Sequence, residues 1–200
     1  MAKMQETEMK LYIPDLQPLK ERIEAAGAKL TAPRVFEKNI RFDDDRGALL
    51  ATSTTLRLRY DSRARLTYKD GEKIHEEYGS TRFEAEVEVS DLETMQIILE
   101  RLGFYPVFVY EKYRTTYELE GAEIMLDELP FGNFVEIEGD QDTIRRVLET
   151  VDFGKSKRYT NSYSVLFRIA KENMGWKFRD LTFDNFKGIT VDSFAFRGAV

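Results

Sequence analysis

The 200-residue sequence contains no cysteine, which removes disulfides, thiolate metal sites and cysteine nucleophiles together. A reducing compartment suits such a chain, and the cytoplasm is the expected address. Histidine is nearly absent: His75 stands alone in the polar stretch Gly71-Glu72-Lys73-Ile74-His75. Without a second imidazole it makes no zinc site, and it reads as an incidental surface residue. No apolar run approaches the roughly 20 residues that span a bilayer, and the stretch Met1 to Glu6 has no apolar signal core, so no membrane partner is expected. A basic excess is missing too. Thirty Lys and Arg stand against 36 Asp and Glu, for a net charge of −6, which argues against a nucleic-acid partner. There is no internal repeat and no low-complexity tract.

What is present is charge of both signs, 33% of the chain, beside 42% hydrophobic residues. That apolar content can bury one substantial core. Residues 1–173 are expected to form one barrel domain and residues 174–200 an extension packed on it. Alternation of residue type predicts strands over Glu6 to Ile13, Val35 to Asp43, Thr54 to Tyr60, Arg63 to Asp70, Arg82 to Val89, Tyr105 to Leu119, Glu123 to Asp127 and Asn133 to Glu138. Helical spacing appears in Leu16, Leu19, Ile23 and Ala26 after a capping Asp15, and in Leu92, Met95, Ile98, Leu99 and Leu102 after a capping Ser90. Two further helices are expected, from Asp140 to Val151 and around Tyr163, Leu166, Phe167 and Ala170. The fold class is therefore α+β. About eight strands joined by hairpin turns favour a closed antiparallel β-barrel, because closure removes exposed edges.

The informative pattern is which residues share a face. Stepping by two collects Glu6, Glu8 and Lys10; Arg57 and Arg59; Arg65 and Lys69; Arg82, Glu84, Glu86 and Glu88. It continues through Lys112 and Arg114, Asp127, and Glu136 and Glu138. A solvated sheet face is the plain explanation of charge on any one strand. Here, however, like charges occupy adjacent sites of one face and repel unless something bridges them. A polyanion and a divalent metal are such bridges. Guanidinium groups grip phosphate oxygens in pairs, and clustered carboxylates suit Mg²⁺ or Mn²⁺.

These residues resemble a known family. Glu6-Thr7-Glu8-Met9-Lys10 fits the Glu-x-Glu-x-Lys signature of the CYTH superfamily, the triphosphate tunnel metalloenzymes that include class IV adenylate cyclases, thiamine triphosphatases and inorganic triphosphatases. Leu56-Arg57-Leu58-Arg59, Leu66-Thr67-Tyr68-Lys69, Arg82-Phe83-Glu84-Ala85-Glu86, Glu111-Lys112-Tyr113-Arg114, Leu126-Asp127 and Gly132 to Glu138 follow in the family order. The likeness runs from residue 4 to about 170, and Phe178 to Phe183 looks like an extension of some bacterial members.

The resemblance implies an eight-stranded tunnel in which Lys10, Arg57, Arg59, Lys69, Arg82, Lys112 and Arg114 hold phosphates. By the same resemblance Glu6, Glu8, Lys69, Glu84 and Glu86 carry the catalytic work, and Glu6, Glu8, Asp127, Glu136 and Glu138 bind Mg²⁺ or Mn²⁺. The implied substrate is a small triphosphate: tripolyphosphate, thiamine triphosphate or ATP. Hydrolysis is placed ahead of ATP cyclisation, and both ahead of a polyphosphate or nucleotide sensor; a homodimer stays open. One departure is Arg41, where several members carry a tyrosine; it adds a phosphate contact or faces solvent, and solvent is the slight preference. Of the basic run Lys155, Lys157 and Arg158, one lysine could reach the tunnel mouth.

Overall fold

The computed structural model describes residues 5–154 and 156–199; the expectations at Met4 and Lys155 lie outside the described residues. Within them are ten strands. They are β1 (Gln5–Tyr12), β2 (Lys29–Asp43), β3 (Thr55–Tyr60), β4 (Ala64–Lys69), β5 (Ile74–Glu76), β6 (Gly79–Val89), β7 (Tyr105–Leu119), β8 (Ala122–Leu129), β9 (Gly132–Glu138) and β10 (Lys157–Tyr159). Eight of these close into an antiparallel barrel in the order β1-β9-β8-β7-β2-β3-β4-β6, with β6 returning to β1. The α+β barrel expected from the alternation is the observed architecture. Closure falls on β1, whose Gln5 to Glu8 pair with β6 while Glu8 to Tyr12 pair with β9 and Lys10 to Tyr12 with β10.

Five α-helices among the described residues pack outside: α1 (Leu16–Ala25), α2 (Ala48–Ala51), α3 (Leu92–Arg101), α4 (Gln141–Thr150) and α5 (Tyr163–Met174). Asp15 caps α1 by accepting the Gln17 N–H at 3.0 Å, and Gly27 ends it at φ +89, where a side chain would be strained. At α3 the cap is Asp91, not Ser90. Its carboxylate accepts the Thr94 N–H at 2.7 Å, one residue later than the sequence suggested.

The apolar faces of the strands point outward under these helices, so the hydrophobic core surrounds the barrel instead of filling it. Met9, Leu11, Ile124, Leu126, Val135 and Ile137 meet Leu19 and Ile23 of α1 and Ile144 and Val147 of α4. Ile40, Phe42 and Leu58 meet Leu99 of α3. A third cluster joins Phe131, Phe134 and Tyr110 to Leu166 and Phe167 of α5 and to the chain beyond Met174. There Trp176, Phe178 and Phe186 stack with Phe167, while Leu181 forms a parallel bridge to Tyr110.

Three differences from the sequence reading have local causes. The second strand begins at Lys29, not Val35, because it pairs with β7 through register shifts that flank Pro33 and hide the period of two. The stretch around His75 is strand β5, paired to β6, and β10 is likewise three residues long; strands so short show no alternation to read. Arg158 is turned away from the barrel lumen, donating to the backbone carbonyls of Glu76, Glu77 and Gly79. Lys157 donates to the Ala199 carbonyl and lies over the Tyr159 ring.

Candidate active site

Since successive residues alternate across a strand, the inward positions of eight strands meet in one lumen of ≈ 490 Å³. Glu6, Glu8 and Lys10 come from β1; Arg57 and Arg59 from β3; Lys69 from β4; Arg82, Glu84 and Glu86 from β6. Lys112 and Arg114 of β7 and Glu136 and Glu138 of β9 complete the set. The structure thus brings together every expected site residue except Asp127. That carboxylate is wholly buried and bound by Lys112 (2.8 Å), by both arms of Arg114 (2.6 Å each) and by the Tyr163 hydroxyl (2.8 Å). Its oxygens are spent on donors, and it does not reach the lumen as a metal ligand.

One side of the lumen is acidic. Lys69 lies 2.7 Å from both Glu6 and Glu84, Arg82 sits 3.3 Å from Glu6, and Lys73 of the β4–β5 loop approaches Glu8 at 3.6 Å. Burial would raise the Glu6 carboxyl, but Lys69 and Arg82 outweigh it and hold the group well below the usual range. Glu84 moves the other way, raised by burial and by Glu6 despite Lys69. Burial pulls the Lys73 ammonium down to about 8. Glu138 is pushed up to about 7, first by burial and then by Glu6.

Glu138 has no hydrogen bond or ion pair among the described residues, and its register neighbours are Glu8 and Glu123. Glu6, Glu8, Glu84, Glu123 and Glu138 are hard oxygen donors whose mutual repulsion a divalent cation would relieve. In chemistry the donor set therefore fits Mg²⁺ or Mn²⁺. No three of these groups already converge on one coordination point among the described residues.

The other side is basic. Arg57, Arg59, Arg65, Lys112 and Arg114 face it, with Glu86 and Glu37 interposed: Arg59 reaches Glu86 at 3.2 Å and Lys112 reaches Glu37 at 3.4 Å. Burial alone would raise Glu37, yet Lys112, Arg114 and Arg59 hold it at about 2. The Nε atoms of Arg57, Arg59 and Arg65 are buried without a hydrogen-bond partner among the described residues, so the guanidinium cluster retains unused donors. Lys10 and Glu136 join the two sides, 3.1 Å apart, and Arg114 also bonds Glu136.

Residues 4–183 match the CYTH domain family. The chain belongs to that family. A CYTH relative from Methanocaldococcus jannaschii, named "putative adenylate cyclase", is 34% identical over 137 residues, spanning 68% of this chain and 77% of that protein. The solved structure of PH1819 from Pyrococcus horikoshii is 30% identical, with a TM-score of 0.65 over 79% of this CYTH chain and 95% of that one. A Hippeastrum protein named a "putative adenylyl cyclase" shares the fold at 22% identity, with a TM-score of 0.61 over 82% and 95% of the two chains.

Several residues of this CYTH lumen escaped the sequence reading. Arg41 does not face solvent. It lines the lumen and donates to the Ser164 hydroxyl and the Thr54 carbonyl, because β2 places it on the face of Glu37 and Asn39. Stepping back by two from Arg41 would have found both. Tyr110, two residues before Lys112, also enters the lumen. Beyond Arg41, Ser162 and Ser164 the space widens into a second chamber of ≈ 650 Å³, walled by Phe42, Leu50, Phe108 and Val165 with Arg168 and Lys171 of α5. Gly71 forms part of its floor, where a Cβ would fall 1.6 Å from the Thr52 carbonyl oxygen.

Proposed function

We propose that this CYTH protein hydrolyses a small triphosphate in the lumen, with Mg²⁺ or Mn²⁺ as cofactor. The observation that carries the reading is the division of one enclosed lumen into a basic side with unused guanidinium donors and an acidic side with an unpaired carboxyl. In this reading Arg57, Arg59, Lys112 and Arg114 grip phosphate oxygens, each charge-assisted bond contributing more than a neutral one. Glu6, Glu8, Glu84 and Glu138 hold the cations, which when bound neutralise phosphate charge and favour an attacking water. Lys69 holds Glu6 ionised, and Lys10 lies between Glu8 and Glu136. Asp127 is left out of the ligand set because its three donors fill it, and Glu136 is taken up by Lys10 and Arg114.

The Hippeastrum protein of the same fold is described as having a dominant triphosphatase activity, in keeping with hydrolysis. Cyclisation of ATP is the second reading. It is favoured by the chamber beside the lumen, of mixed apolar and charged lining with room for a nucleoside, and by the name of the 34% identical relative. Purified protein incubated with Mn²⁺ or Mg²⁺ and tripolyphosphate, thiamine triphosphate or ATP separates the two. Released phosphate supports hydrolysis, cyclic AMP with pyrophosphate supports the second reading, and no product from any of them overturns both. Glu8→Gln is expected to abolish metal-dependent turnover while thermal unfolding stays within a few degrees of the parent; unchanged turnover would sink the assignment of the acidic side.

A further inference from the structure

Tyr110 and Tyr163 both line the lumen, and the hydrogen bonds of their hydroxyls differ in direction. Tyr163 of α5 donates to Asp127 at 2.8 Å, so its proton is held by a buried carboxylate; burial and Asp127 both drive that phenol upward. Tyr110 of β7 does the reverse. Its oxygen accepts from Arg57 Nη1 at 3.0 Å, and among the described residues its own proton meets no acceptor. The ring is fixed from behind: it is 6% exposed, it stacks on Phe108, and its backbone is bridged to Leu181 of the C-terminal segment. Tyr110 lines the lumen, with its hydroxyl on Arg57.

We propose that Tyr110 is the general acid of the hydrolysis, giving its proton to the oxygen that leaves the cleaved phosphorus. The inference rests on the triphosphatase reading above. In the step, a water oxygen bonds to the terminal phosphorus and the bond from that phosphorus to its bridging oxygen breaks, the electron pair going to the bridging oxygen. The phenol proton moves to that oxygen, and the proton lost by water passes to a carboxylate of the acidic side. Triphosphate and water become phosphate and diphosphate (or phosphate and an organic diphosphate). The phenolate left behind faces Arg57 and is reprotonated from bulk water as products depart.

The groups around the hydroxyl suit this role. Arg57 comes from β3, Arg41 and Glu37 from β2, Lys112 from β7 itself and Tyr163 from α5; Asp180 of the C-terminal segment is engaged by the Val109 N–H. Burial would raise the phenol, but Arg57 and Lys112 outweigh it and set the group below the ordinary phenol value of 10.0, with Glu37 opposing. The hydroxyl accepts from Arg57 and keeps its own proton free to donate. It also stabilises the anion it becomes.

The test is the pH profile of turnover in Mn²⁺ with whichever triphosphate the parent hydrolyses. Parent kcat is expected to fall on the alkaline side as the phenol ionises. Tyr110→Phe should lose about 10²-fold in kcat, with KM within threefold, and should lack that alkaline limb. Replacing Tyr110 by 3-fluorotyrosine, a more acidic phenol of nearly the same size, should keep turnover and move the limb to lower pH. The assignment is overturned if Tyr110→Phe keeps kcat within threefold, if its alkaline limb persists, or if fluorination leaves the limb unmoved. Failure of the parent to hydrolyse any triphosphate would instead strike the reading beneath it.

Discussion

Two charge clusters of the lumen, built from neighbouring strands, differ in whether their partners are complete. Around Asp127 every charge has an answer: Lys112, Arg114 and the Tyr163 hydroxyl close on one buried carboxylate. Around Glu138, which has no ion pair among the described residues, Glu6, Glu8 and Glu123 accumulate, and across the lumen three guanidinium Nε atoms have no hydrogen-bond partner. Desolvating a charge is expensive, and a complete pair recovers that cost within the folded chain. An incomplete one recovers it only when something else arrives. The first cluster ties β7, β8 and α5 together while Lys112 and Arg114 still line the lumen, and the second is the part we propose to bind cations.

Substitutions can break this contrast. The largest effect is expected from Asp127→Ala, which takes the shared buried carboxylate from Lys112, Arg114 and Tyr163 and should cost about 3–5 kcal/mol of folding free energy by urea denaturation. A loss under 1 kcal/mol would show that the complete cluster is not structural. Arg59→Ala should instead weaken triphosphate binding by about 1.5–3 kcal/mol, the range for one hydrogen bond to a charged group, as read by calorimetry. Its unfolding free energy should change less than that of Asp127→Ala. The reverse order would merge the two clusters into one kind.

The smallest effect concerns pH. In metal-free protein Glu138 keeps its proton up to about 7, whereas the unfolded chain releases it near 4.5. Between those values the folded state binds more protons, so stability contributed by this group falls as pH rises through the window. Glu138→Gln should therefore raise the melting temperature at pH 8 in EDTA and leave it unchanged at pH 4. Adding Mn²⁺ at pH 8 should raise the parent more than the variant. Equal responses would argue that Glu138 takes no part in cation binding.

Much of the barrel was legible because a period of two is hard to produce by chance on many segments. Glu6, Glu8, Arg57, Arg59, Glu84 and Glu86 sit in regular strands with an apolar opposite face, and the same regularity set both the fold and the inward set. Reading failed where the backbone is irregular or the residue type ambiguous. Glu37, Asn39 and Arg41 alternate without a slip in β2, but the mixed charge and amide of that face did not join the Arg-x-Arg and Glu-x-Glu pattern. Tyr110 counts as apolar in a pattern of charges, although its hydroxyl accepts from Arg57 in the lumen wall. Asp127 obeyed the alternation, yet alternation cannot tell a side chain that reaches the lumen from one stopped short by Lys112 and Arg114.

The threefold pairing of β1 has a consequence for how the protein is made. This strand leaves the ribosome before its partners, which begin at Gly79, Gly132 and Lys157, so its ladder bonds wait for them. Until then Met9, Leu11 and Ile13 are bare and the cylinder cannot shut. Such distant pairings slow folding, and a nascent chain paused before β9 would offer a sticky, half-open sheet to whatever chaperone is near.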